Sequence, residues 1–112
     1  MKTSEIKITV AVDDQFVPEV IEWEATDSGI GSKRPCKATL FSVWDPSENT
    51  TLRIDLWTKD MPVDDMKRFF FENMASLADT YMRATNDEKG AKHLRDAAQG
   101  FATASGISGS KK

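Results

Sequence analysis

Residues 52–74, LRIDLWTKDMPVDDMKRFFFENM, decide the fold because they join a strand to a long helix. Apolar and polar residues alternate over 51–58, which is the period of a β-strand with one apolar face. Pro62 suits the first position of a helix, where its missing N–H is not needed, and two aspartates complement the helix dipole in the following turn. The stretch therefore predicts a strand followed by a helix over about 62–84.

Two apolar stripes run along this predicted helix when successive residues are placed about 100° apart. The larger stripe consists of Val63, Met66, Phe69, Phe70, Met74, Leu77 and Tyr81. The second stripe consists of Phe71, Ala75, Ala78 and Met82. One packing partner does not account for both, so we assign the larger stripe to a sheet. The second stripe then needs a second helix or another molecule.

Three further strands are predicted ahead of this stretch by the same alternation. They cover residues 5–12, 19–25 and 36–44. Turn-forming residues at 13–15 and 45–49 join the four strands into two hairpins. Residues 26–35 are rich in glycine and serine, so we predict a mobile loop between the hairpins.

A second helix is predicted after the first. Residues 85–88, TNDE, fit the capping-box pattern, and the helix should reach about Ala102. Its apolar side is thin, and Gly90 and Gly100 each weaken it by about 1 kcal/mol relative to alanine. The helix should therefore hold only by docking, and residues 103–112 are predicted to form a flexible tail.

The predicted fold is an α+β domain over residues 1–102, with the element order β-β-β-β-α-α. The two hairpins form one four-stranded antiparallel sheet, and both helices pack on one face of it. A chain of 112 residues is long enough for one such domain with one core.

Composition excludes several classes of partner. The net charge of −3 and the pI of about 5.1 predict no affinity for nucleic acid or anionic membrane, because both need a clustered basic surface. The lone cysteine, Cys36, cannot form an intramolecular disulfide. No run approaches the roughly 20 apolar residues that cross a bilayer. We therefore expect a cytoplasmic protein without membrane insertion.

No motif in the sequence carries a reaction. His93, the only histidine, is expected at the surface because no nucleophile motif accompanies it. Cys36 follows two cations that could activate its thiol, but free cysteines are more often small buried hydrophobes. The acidic clusters lack the ligand spacing of a calcium loop, and the glycines at 29 and 31 lack the spacing of a phosphate loop. We expect no enzymatic activity, catalytic residue, metal or cofactor.

Spare apolar surface favours a protein-binding role instead. By alternation, Trp57 lies on the outer face of its strand, and we place Phe41 on the same outer face. Exposed apolar patches of this kind are typical of protein interfaces, unless the alternation breaks near an edge or the loop at 26–35 covers them. The second helical stripe offers Phe71, Ala78 and Met82 as the other predicted interface.

Three strings of the sequence resemble a known family. They are SEIKITVAVDD, LRIDLWTKDMPVDDM and RATNDE. They are similar to the gliding-motility protein GldC family of the Bacteroidetes and some relatives, over about residues 3–102. The resemblance implies a small, non-enzymatic accessory factor of gliding motility that has no catalytic residues, and it names no partner.

We therefore expect a protein-interaction module that contacts components of the gliding machinery and forms a homo-oligomer, with a dimer as one form. The alternative is a SecB-like chaperone or holder of unfolded client proteins, by analogy of fold. An enzyme that uses Cys36 or the acids would need a pocket with convergent polar groups. A small-ligand carrier that uses the tryptophans would need a closed apolar cavity.

Overall fold

A computed structural model of the protein describes residues 1–26 and 33–107. Most of the predicted mobile loop, at 27–32, and the end of the predicted tail, at 108–112, lie outside the described residues. The elements are β1 (Ile6–Val12), β2 (Pro18–Ala25), β3 (Arg34–Cys36), β4 (Ala38–Asp45), β5 (Thr50–Trp57), α1 (Val63–Thr85) and α2 (Glu88–Ser105). The chain divides into two compact units, residues 1–61 and residues 62–112.

The strands of the first unit form two antiparallel sheets, in the orders β1-β2-β3 and β4-β5. The α+β class is confirmed, but the single four-stranded sheet is wrong. The strand predicted over 36–44 divides at Lys37, because Cys36 pairs with β2 whereas Ala38 pairs with β5. Pro35 has no N–H for a ladder, which helps to limit β3 to three residues before the chain changes partner.

The first hairpin, β1–β2, turns through a carboxylate-capped loop. The Oδ1 of Asp13 accepts hydrogen bonds from the N–H groups of Gln15 at 2.8 Å and Val17 at 3.0 Å. Phe16 has a φ of 63°, in the left-handed region that the tight turn requires. On β2, Ile21 is 1% exposed and lies opposite Val10 of β1, so it contributes a central side chain to the core of this unit.

The helices of the second unit run antiparallel. The Nζ of Lys67 donates to the carbonyl of Ser105 at 2.8 Å, and Arg95 lies 3.4 Å from Asp79, so the start of α1 meets the end of α2. Alanines on both helices are at most 2% exposed: Ala78, Ala91, Ala98 and Ala102. Small side chains at these positions let the two backbones approach closely.

The helix starts differ from the predicted ones by a residue or two. Pro62 is the N-cap of α1 rather than its first helical residue. Thr85 does not cap α2; instead Asp87 is the N-cap, and its Oδ1 accepts a hydrogen bond from the N–H of Gly90 at 3.1 Å. Aspartate is a strong N-cap residue, and here it takes the place of the threonine in the expected capping box.

The end of α2 extends beyond the predicted Ala102 to Ser105. Gly106, with a φ of 78°, donates its N–H to Thr103, and Ile107 donates its N–H to Ala102 at 3.1 Å. This is the hydrogen-bond pattern of a Schellman motif, which closes a helix with an apolar residue after the glycine. Ile107 is accordingly only 8% exposed. The single-domain organisation and the packing of the helices on a sheet stay predictions.

Candidate interaction surface

The β4–β5 hairpin, residues 38–57, forms a two-stranded ribbon with exposed apolar side chains. Residues directly opposite each other in an antiparallel pair share a face. Three such pairs lie on one face: Thr39 with Leu56, Phe41 with Ile54, and Val43 with Leu52. We call these six residues the ribbon apolar face.

Four of the large side chains on the ribbon apolar face are substantially open to solvent. Phe41 is 43% exposed, Val43 44%, Leu52 51% and Ile54 58%. The three pairs contain no charged side chain. Their continuity over adjacent pairs makes this a patch rather than scattered single residues, and such patches mark interaction sites more often than chance.

The opposite face of the ribbon carries the tryptophans. Trp57 pairs with Ala38, and Trp44 pairs with Thr51. Their exposed fractions are 54% and 62%. Phe41 and Trp57 are both exposed, but the prediction that they share one outer face is wrong. Alternation within each strand is as expected, and the register between the strands places Phe41 with Ile54 and its neighbours instead.

The predicted interface on α1 has less surface to offer. Ala78 is completely buried, so it has no surface for a second molecule, whereas Phe71 and Met82 are half-buried. The larger stripe is the more open one: its residues Val63, Phe70 and Leu77 are 71%, 42% and 58% exposed. The apolar pattern predicts that this stripe packs on a sheet, although the seven-residue spacing of the three side chains equally fits a separate surface.

Polar contacts connect the base of the ribbon to the three-stranded sheet. The N–H of Thr58 donates to the carbonyl of Lys37 at 2.8 Å, and the N–H of Lys59 donates to the carbonyl of Pro18 at 3.2 Å. The ammonium of Lys59 reaches Asp13 in the β1–β2 turn at 2.8 Å. These contacts anchor the ribbon at one end, where its side chains are less exposed than those nearer the β4–β5 turn.

Two carboxyl groups at this base have lowered pKa values. The hydrogen bond from Lys59, followed by two backbone N–H groups, lowers the pKa of Asp13 from 3.8 to about 2. The hydroxyl of the buried Thr58, followed by the ammonium of Lys37, lowers the pKa of Asp60. Both carboxylates are charged at neutral pH, so these ion pairs are present under physiological conditions.

The residues considered for chemistry are dispersed. His93 is exposed on α2, and Cys36 is half-buried with its Sγ 3.5 Å from the hydroxyl of Thr39. Within residues 1–26 and 33–107, no three His, Cys, Asp or Glu side chains come together closely enough to hold a metal ion. Over the same ranges, neither helix combines the length and the apolar character needed to cross a bilayer.

Antiparallel strands, a helical pair and an open apolar ribbon define an α+β protein with a candidate protein-binding surface. A family model described as gliding motility-associated protein GldC-like matches residues 18–107. The chain belongs to this GldC-like family, which is associated with gliding motility, and the resemblance of the sequence is confirmed. No curated protein and no solved structure matches the chain.

Proposed function

We propose that this GldC-like protein is a non-enzymatic accessory factor of gliding motility that acts by binding proteins through the ribbon apolar face. The observation that supports this is the run of three uncharged cross-strand pairs in which four large side chains are about half exposed. A two-stranded ribbon is only marginally stable in water alone, so covering its apolar face is favourable.

The occupant of the face is a second copy of the chain. Two identical uncharged faces pack about a two-fold axis without like-charge contacts, as in the inner faces of two packed sheets. Each strand of the ribbon has 8 residues. Eight residues span about 27 Å, and two strands are about 10 Å wide, so one face covers roughly 300 Å².

This area predicts a weak dimer. Stable complexes bury about 800 Å² per partner, so a face of this size suits a transient contact that forms at micromolar concentration or above. Weak self-association is compatible with exchange of the second copy for a component of the gliding machinery at the same face. The family's association with gliding motility supports that second step.

A charge placed on the ribbon apolar face should separate binding from folding. Ile54→Asp puts a carboxylate at the centre of the face, where dimerisation would desolvate it, and should weaken the dimer at least about tenfold. Thr51→Asp adds the same charge to the same strand on the opposite face and is the matched control. Sedimentation equilibrium measures the dimer, and thermal denaturation measures folding. Equal effects of both variants, or a strictly monomeric wild type at high concentration, would contradict the proposal.

A chaperone-like holder of unfolded clients is the second candidate, favoured by the small size and openness of the same face. An extended apolar segment is as narrow as one strand and would cover the three pairs without a large interface. The wild-type protein should then suppress aggregation of an unfolded client in proportion to its concentration, and Ile54→Asp should not. Suppression that is unaffected by Ile54→Asp would exclude the ribbon apolar face as the holding site.

A further inference from the structure

A second surface with a different chemistry lies between the helices. An open groove of about 500 Å³ is lined by Met82 of α1 and by Glu88, Lys89, Lys92 and Arg95 of α2. The α2 residues fall on one side of the helix because they are spaced three and four apart. Three of the five lining residues are cations, although the whole chain has a net charge of −3. We call this the α2 basic groove.

The cations of the α2 basic groove are available to a ligand. Lys89 has no charged partner among the described residues. Lys92 contacts Asp96 at 2.8 Å and Arg95 contacts Asp79 at 3.4 Å, but the side chains in both pairs are at least half exposed. Exposed ion pairs of this kind contribute about 0–1 kcal/mol each, so the carboxylates of a ligand can replace them with little loss.

The other features of the groove restrict the ligand further. Met82 adds an adaptable apolar side chain to the lining. The start of α2 at one end of the groove already carries the carboxylates of Asp87 and Glu88, so the cations of the groove are the groups left to pair with an anion. A groove that combines spaced cations with one apolar contact is complementary to carboxylates flanking an apolar side chain.

We propose that the α2 basic groove binds an acidic amphipathic peptide segment of a partner protein. Carboxylates of the segment pair with Lys89, Lys92 and Arg95, and one apolar side chain of the segment packs on Met82. None of these residues belongs to the ribbon apolar face, so this binding site can be tested independently of the proposed self-association.

Fluorescence anisotropy with a defined probe tests this site on the full chain. The probe is a labelled ten-residue peptide of alternating glutamate and leucine pairs, and its partner probe has glutamine in place of each glutamate. The glutamate peptide should bind at least about tenfold more tightly, and its binding should weaken as salt is raised. Equal binding of the two probes, or no binding at about 1 mM peptide, would overturn the proposal.

Variants locate the site on the protein. The double change Lys89→Glu and Lys92→Glu should reduce binding of the glutamate peptide at least about tenfold. The double change Lys2→Glu and Lys7→Glu alters the net charge equally and should leave binding within about twofold. If both double variants lose binding equally, the peptide is attracted by the overall charge of the protein, and the proposed site is wrong. Loss of self-association in the Lys89 and Lys92 variant would assign the groove to a second copy and would overturn the assignment to a partner protein.

Met82→Ala tests the apolar contact. It should weaken binding of the glutamate–leucine peptide about threefold to tenfold while leaving binding of a glutamate–alanine peptide unchanged. Circular dichroism confirms that the helices remain folded in this variant. The same loss for both peptides would remove the apolar contact from the proposed site.

Discussion

Tyr81 explains why α2 has a glycine in its first turn. The hydroxyl of Tyr81 donates to Oδ2 of the N-cap Asp87 at 2.6 Å, while Oδ1 of Asp87 accepts from the N–H of Gly90. A Cβ at position 90 would lie 2.5 Å from that Oδ2 and 2.8 Å from the Tyr81 ring. The glycine therefore allows a tyrosine and a helix cap to share one small space.

This arrangement predicts opposite effects for two glycine substitutions in one helix. Gly90→Ala should destabilise the protein by about 1–3 kcal/mol, because the new methyl group displaces Tyr81 or Asp87. Gly100→Ala, where a Cβ would meet no atom of the described residues within 4 Å, should stabilise it by about 1 kcal/mol through helix propensity. Urea denaturation measures both, and stabilisation by Gly90→Ala would contradict the contact with Tyr81.

Asp13 should make the stability of the protein depend on acid pH. Its folded-state pKa of about 2 is below the ordinary value of 3.8, so its ion pair with Lys59 stabilises the fold above that ordinary value. The contribution is lost as the pH falls through the window from about 4 to about 2. Asp13→Asn should flatten the stability curve in that window, as measured by denaturation at a series of pH values. Asp14→Asn, which removes the same charge at the exposed neighbouring position, is the matched control.

At the scale of elements, local periodicity identifies strands and helices but not their partners. The helix predicted over about 62–84 is α1, and the alternation over 51–58 marks β5. Pairing between strands depends on the turn that sets their register, and this is why the face shared by Phe41 could not be read from either strand alone. The division of the predicted third strand at Lys37 likewise depends on which strand each half meets.

The sequence predicts the candidate interaction surface only in part, as it does the fold. The expected exposure of Phe41 and Trp57 agrees with the structure, but strand alternation does not account for it, because Phe41 shares its face with Leu52 and Ile54, which the alternation places on the packed face of the strand. The apolar stripe predicts Ala78 at an interface with another molecule, but its small side chain suits the closest approach of the two helices instead. Hydrophobic periodicity describes a stripe and does not say which of two stripes a neighbouring helix will cover.

The packing of α1 against α2 predicts that substitutions at two adjacent positions of α1 differ in their effect on stability. Ala78→Leu should destabilise the protein by about 1–3 kcal/mol, because a fully buried alanine has no room for three more carbons. Leu77→Gln, at a position that is 58% exposed, should change stability by no more than about 0.5 kcal/mol. Thermal denaturation compares the two. A tolerated leucine at 78 would mean that the second stripe is not the one covered by α2.

For the whole molecule, net charge and local surface chemistry act in different directions. The chain has a net charge of −3 and a pI near 5.1, whereas the ribbon apolar face has no charged side chain. Two copies therefore repel each other through their overall charge while the apolar faces attract. At the α2 basic groove the local charge is opposite in sign to the net charge. Its cations attract an acidic ligand although the protein as a whole is acidic.

Raising the salt concentration and lowering the pH should therefore both strengthen self-association through the ribbon apolar face. Raising sodium chloride from about 0.05 M to about 0.5 M screens the repulsion between copies and leaves apolar burial intact. Lowering the pH from 7 toward the pI reduces the same repulsion by reducing net charge. Sedimentation equilibrium should show a tighter wild-type dimer under both conditions, with Ile54→Asp much weaker throughout. A wild-type dimer that dissociates as salt is raised would be held by ion pairs, because only charged contacts lose their attraction through screening, and the apolar face would then not be its interface.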